Sequence, residues 1–173
     1  MAVSPSVAEL RRRLGVDGAR GELPGLPGVR CLPVAGSAVV LLADTVAGAA
    51  WARRRGDVLS HEEAERAARF VFPGLGEAWT GAHVLLREVL GRATLTPAAD
   101  VQIRAGEFGK PSVNGVEFSL SHTGSVVLIG LGDLPLGADV EKIPEERTVD
   151  QVGSSFHPRE TAELLDLPAD ERP

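Results

Sequence analysis

The stretch from Val116 to Lys142, VEFSLSHTGSVVLIGLGDLPLGADVEK, constrains the fold more than any other part of the chain. Val116, Phe118 and Leu120 alternate with Glu117, Ser119 and Ser121, the period-two pattern of a strand with one wet face. Val126–Leu131 reads as a buried strand and Leu136–Lys142 as a third. His122-Thr123-Gly124 and Gly132–Pro135 read as turns. Short strands joined by tight turns predict an antiparallel meander.

The first half has helical period instead. Ser4-Pro5 ahead of VAELRRRLG predicts a short capped helix with Pro at its first position and Gly15 at its end. Residues 15–36 are rich in Gly and Pro and read as a loose connection. Ala38–Leu42, AVVLL, reads as a buried strand, and Arg53-Arg54-Arg55 as a solvated turn or helix end. Ser60 with Glu63 forms a capping box at the start of a helix that Pro73-Gly74 stops. A second helix is expected from about Glu77 to Leu90. In it Trp79, Ala82, Leu86 and Val89 recur at helical spacing, and Gly91 closes it. His83 borders that apolar face and reads as a packed histidine. Val101–Arg104 alternates, and Val149–Leu165 reads as helical with a break near His157-Pro158.

At 173 residues the chain is long enough for one medium domain or two small ones. No apolar run approaches the roughly 20 residues a membrane helix needs. The N-terminus shows no secretory signal pattern. Cys31, the single cysteine, cannot form an internal disulfide, which fits a reducing, cytoplasmic setting. The net charge of −6 is confined to the last 35 residues, where ten acidic side chains face four basic ones. No segment offers the dominating basic field that a nucleic-acid surface needs.

Three short motifs carry chemistry. In GADVEK, Asp139 and Glu141 are i and i+2 on a strand and so project from one face. Two close carboxylates repel unless a cation lies between them. Magnesium suits the pair, because it binds one or two carboxylates and fills its shell with water and phosphate. The same pair also reads as a solvated strand face. In FSLSHTGS, Ser121 and His122 sit where a strand enters a Gly-containing turn, a place suited to an anion and equally to ordinary turn chemistry. In GEFGKP, Lys110 lies between a flexible Gly109 and a rigid Pro111 and can present a compact charge to phosphate. Together, and in this order, the three describe a site for a pyrophosphate–magnesium ligand.

Gly-Lys-Pro, then F-S-L-S-H-T-G, then G-A-D-V-E-K, at these spacings, resembles the 4′-phosphopantetheinyl transferase superfamily. The likeness is to its two-lobed type, which activates polyketide and nonribosomal peptide synthetases. LSHEEAERAARFVFP, the helix ending LLREVLGR, and FHPRETAELLDLPADERP extend the likeness from about Ala38 to the end of the sequence. The resemblance implies an α+β fold in which helices pack on an antiparallel sheet. It implies two pseudo-twofold lobes, the second incomplete. Residues 1–36 would be an extension, 37–114 the N-terminal lobe, and 115–173 the beginning of a shortened C-terminal lobe.

The implied activity moves the phosphopantetheine arm of coenzyme A to a serine of an acyl or peptidyl carrier protein domain. Asp139 and Glu141 would hold magnesium. Lys110, Ser121 and His122 would contact the phosphates of coenzyme A, with Glu141 and His122 as the catalytic residues. Three departures accompany the likeness. The family's Trp-x-x-Lys-Glu-x-x-x-Lys helix is not found within these residues. Ala78 and His83 stand where arginines are expected, and Ser-His-Thr replaces Ser-His-Ser. A chain shortened in this way would be a poor catalyst alone and would self-associate through its incomplete second lobe. Two other readings follow. One is a non-catalytic relative that binds coenzyme A or a carrier domain. The other is an unrelated α/β module with a solvated carboxylate pair.

Overall fold

A computed structural model describes residues 4–16, 21–34, 38–106, 109–143 and 156–168. The chain divides into two compact units, Met1–Val140 and Glu141–Pro173.

In the first unit, helix α1 (Val7–Leu14) is capped by Ser6, whose hydroxyl accepts from the Glu9 amide at 3.3 Å, and Gly15 closes it in the left-handed conformation. The cap is therefore Ser6 and not Ser4, and Pro5 lies outside the helix: Ser6 is the residue just before the first helical turn, where its hydroxyl can receive a free amide of that turn. Leu10 and Leu14 turn one face of α1 into the core.

The segment expected as a loose connection contains two strands, β1 (Gly21–Glu22) and β2 (Val29–Leu32), paired antiparallel. Their pairing depends on β3 (Ala38–Asp44), a partner that local composition does not reveal. Two further strands, β6 (Glu117–Thr123) and β7 (Val126–Gly132), complete an antiparallel sheet of order β1-β2-β3-β7-β6. A separate two-residue ribbon joins β4 (Arg104–Ala105) to β5 (Pro111–Ser112), shorter than the alternation from Val101 suggested. His122 and Thr123 remain in β6, so the turn lies at Gly124-Ser125 and not at His122-Thr123-Gly124.

Register assigns every sheet residue to a face. Val29, Ala43, Val127 and His122 form one cross-strand row; Cys31, Leu41, Ile129 and Leu120 form another. Both belong to the side covered by helices, where Val29, Leu41, Val127 and Ile129 are fully buried. Arg30, Leu42, Leu128 and Ser121 form a row on the opposite side, next to Leu32, Val40, Gly130 and Ser119. Burial of Cys31 pushes its thiol pKa up, as expected for a packed, unreactive sulfur.

Helix α2 (Thr45–Ala52) starts on Asp44, whose carboxylate accepts from the Val46 amide at 2.7 Å. Helix α3 (His61–Ala68) has the expected capping box. Helix α4 (Pro73–Thr94) is longer than its periodicity predicts at both ends. Pro73 opens it, because a missing N–H costs nothing at a first helical position. Gly91 does not end it; Leu95, with φ 57°, does.

Glycines set how closely the helices approach. A Cβ on Gly81 would fall 2.7 Å from both the Ala49 nitrogen and the Thr45 oxygen, so α2 and α4 touch backbone to backbone. Arg87 of α4 is buried and donates to Glu63 Oε2 at 2.6 Å and to the carbonyls of Ala98 and Val101 at 3.1 and 3.0 Å. That one guanidinium ties α3 and the 3-10 turn Ala98–Asp100 to α4.

The expected lobe boundary between 114 and 115 falls within this unit: β3 pairs along its whole length with β7. The expected third strand, Leu136–Lys142, joins no ladder. Residues 136–140 run extended and are held by side chains instead, as set out below.

In the second unit, helix α5 (Pro158–Asp166) is capped by His157, whose ring accepts from the Arg159 amide while Glu160 accepts from the His157 amide at 3.0 Å. The break expected at His157-Pro158 is this cap. The rest of the expected helix, from Val149 to Ser155, lies outside the described residues.

Candidate functional site

The two serines of FSLSH share one face of β6, two residues apart, on the side of the sheet away from the helices. Ser119 Oγ accepts from the Ala138 amide at 3.0 Å. Ser121 Oγ accepts from the Val140 amide at 3.2 Å and donates to Asp139 Oδ1 at 2.6 Å. Lys110 Nζ donates to the Leu136 carbonyl at 2.8 Å. Lys110 and Ser121 thus both contact the segment 136–140, Lys110 at Leu136 and Ser121 at Asp139 and Val140. Asp139 and Lys110 are both solvent-exposed. The short Ser121–Asp139 contact is the charge-assisted kind, in which a hydroxyl fixes the direction of a carboxylate.

His122 is not part of that cluster. It alternates to the helix-covered face, in the row of Val127 and Ala43. There it is solvent-exposed, and it lies near enough to His83 for its charge to act on that ring. His83 stacks on Trp79 with ring centroids 3.6 Å apart, and its Nδ1 lies 2.9 Å from the Trp79 carbonyl oxygen. Burial lowers the His83 pKa from 6.5, outweighing that hydrogen bond and the Glu63 charge, which both raise it. The resemblance groups Ser121 and His122 as phosphate contacts, but the period of two that pairs Ser119 with Ser121 turns His122 to the other face of β6.

Glu141 is exposed and begins the second unit. Among the described residues, no group of three or more His, Cys, Asp and Glu side chains is arranged to hold an ion. Ala78 and Gly124 help line an open cleft of ≈ 320 Å³, together with Thr45, Arg53 and Glu77. Thr45 donates through its amide to the Ser125 carbonyl at 2.7 Å, so the β6–β7 turn is tied to the start of α2 beside this cleft.

Two residues that matter here were missed in the sequence. Ser119 carries the same signal as Ser121, a serine at i, i+2 on a strand whose other face is apolar. Arg87 gave no signal, because a buried arginine in LLREVL reads like any exposed one.

The fold and the cluster define an α+β protein that clamps an exposed carboxylate to an edge strand through serine hydroxyls. No family model matches the chain. It is similar to the 4′-phosphopantetheinyl transferase Sfp of Bacillus subtilis (strain 168), with 31% identity over 99 residues, covering 49% of this chain and 44% of that protein. It is also similar to the 4′-phosphopantetheinyl transferase ffp of Bacillus subtilis, with 30% identity over 88 residues, covering 49% of this chain and 39% of that protein. Two curated relatives thus support the likeness to phosphopantetheinyl transferases, and the match spans less than half the length of each. Among the described residues no helix is long and apolar enough to cross a membrane.

Proposed function

We propose that this chain takes part in transferring the 4′-phosphopantetheine group of coenzyme A to a serine of a carrier protein, in a magnesium-dependent reaction in the cytoplasm. The two Bacillus subtilis relatives, both 4′-phosphopantetheinyl transferases, support the reaction class. The observation that carries it to a site is the clamp that holds Asp139 against Ser121.

Asp139 offers hard oxygen donors in an exposed place, with one oxygen already oriented. That suits magnesium, which needs only one or two carboxylates when water and phosphate complete its shell. Asp139 and Glu141 are the proposed ligands. When bound, the ion supplies charge neutralisation of the diphosphate. Lys110 keeps two N–H donors beyond the one given to Leu136 and can meet a phosphate oxygen. Ser121 has a single hydroxyl proton, which Asp139 receives, so its proposed role changes from phosphate contact to orienting Asp139. His122 and Glu141 stay in the proposal as the catalytic residues; β6 is the edge strand of the sheet, so the exposed His122 would reach a phosphate around that edge. The paired pseudo-twofold lobes belong to the same proposal. So does self-association, for which the exposed Phe156, Leu165 and Leu167 of the second unit offer apolar surface.

Ala78 favours a second reading. It lines the cleft beside the β6–β7 turn where the resemblance places an arginine. A relative that binds coenzyme A or a carrier domain without transferring the arm would tolerate that change. Intact-mass spectrometry separates the two. A carrier protein incubated with this chain, coenzyme A and magnesium gains one phosphopantetheine under the first reading. An unmodified carrier, with coenzyme A binding by calorimetry, leaves only the second.

A further inference from the structure

The amides received by Ser119 and Ser121 belong to Ala138 and Val140, which are also two residues apart. An extended segment therefore matches the side-chain spacing of β6 rather than its backbone ladder. Ser119 Oγ also lies 3.5 Å from the Ala138 carbonyl oxygen, so one hydroxyl meets both polar groups of the residue before Asp139. The segment reaches the sheet because Ser119 is paired across the ladder with Gly130. A Cβ on Gly130 would fall 2.7 Å from Leu136 Cδ1 and 3.3 Å from the Ala138 Cβ. Asp139 thus has a clamped residue on each side, Ala138 by Ser119 and Val140 by Ser121. Ser121 reaches the carboxylate directly. Ser119 reaches it only through the backbone.

We propose that Ser119 is a positioning residue for Asp139, fixing the direction of its carboxylate by holding Ala138 over Gly130. The inference rests on the transferase reading only in taking that carboxylate as a cation ligand. Outer partners of this kind typically change metal affinity by about 10- to 100-fold when removed.

The test uses the full chain with Ser119→Ala and Ser119→Thr, residue-resolved hydrogen exchange by NMR, and manganese(II) titration followed by electron paramagnetic resonance. Ser119→Ala is expected to speed exchange at the Ala138 and Val140 amides at least tenfold, while the Val127 and Ile129 amides keep wild-type protection. Manganese(II) affinity is expected to fall about 10- to 100-fold. Ser119→Thr, which keeps a hydroxyl, restores both. Unchanged exchange at Ala138 and Val140 overturns the proposal, and so does faster exchange with unchanged manganese(II) affinity. A wild-type chain that binds no manganese(II) removes the metal from the transferase reading; the exchange measurement then decides alone whether Ser119 holds the segment.

Discussion

Ser121 and His122 are adjacent in the chain and stand on opposite faces of the sheet. Ser121 donates a hydrogen bond to Asp139 at 2.6 Å on the open side, while His122 shares a cross-strand row with the fully buried Val127 on the helix side. A Ser-His pair on a strand is thus two addresses, and substitutions at the two positions act on different surroundings.

Ser121→Ala removes the hydrogen-bond donor to Asp139 and the acceptor of the Val140 amide. A lost hydrogen bond to a charged group costs about 1.5–3 kcal/mol. Manganese(II) affinity is expected to fall about tenfold or more, with coenzyme A affinity changed less. His122→Ala is expected to leave manganese(II) affinity within about twofold of wild type. Paired titrations check this, and equal losses from both variants contradict the two-face arrangement.

Glu63 performs two tasks with one oxygen, since Oε2 accepts from the Ser60 amide at 2.8 Å and from Arg87 at 2.6 Å. Glu63→Ala leaves the buried guanidinium without its counter-charge, and breaking such a pair costs about 3–5 kcal/mol. Ser60→Ala removes only the cap, at about 1 kcal/mol. Urea unfolding of the two variants is expected to differ in midpoint in that order.

Gly81→Ala places a methyl 2.7 Å from backbone atoms of α2, which cannot swing away as a side-chain end can. Forcing the helices apart is expected to cost about 1–3 kcal/mol or more. Gly74→Ala, in the first turn of α4, meets nothing within 4 Å and has no positive φ. There the smaller unfolded-state entropy is expected to stabilise by about 0.4–1 kcal/mol. Thermal melts of the two variants should move in opposite directions.

His83 titrates below its ordinary value of 6.5 because burial disfavours the charged ring. Between the folded and unfolded pKa values the unfolded chain binds the extra proton. Stability therefore holds above about pH 6.5 and falls as pH drops through the unfolded value toward the folded one. His83→Phe keeps an aromatic ring against Trp79 and removes the proton. Melting temperature against pH between 7 and 5 should decline less steeply in the variant than in wild type; parallel slopes would show that another group governs that range.

The capping box at Ser60 and Glu63, the left-handed Gly15 and the alternation from Val116 to Leu120 were legible in the sequence because each is a local rule. Alternation even assigned Ser121 and His122 to opposite faces in principle, although motif spacing drew them together. What periodicity cannot state is which strand lies beside which. β2 became a strand only by pairing with β3, and β3 found β7 more than eighty residues on, through contacts that no local window contains.

The residues from Leu136 carry an adequate strand pattern, yet they form no ladder. Gly130 opens the sheet face to Leu136 and Ala138, and the hydroxyls of Ser119 and Ser121 satisfy the amides that a neighbouring strand would otherwise take. Local rules in the sequence were enough for the capping box at Ser60 and Glu63, the closing Gly15 and the sheet residues that share a face. That side chains rather than a neighbouring strand hold the segment around Asp139, Ser119 at Ala138 and Ser121 at Asp139 and Val140, follows from packing in space, because hydrogen-bond partners are set by proximity that a local window of sequence does not contain.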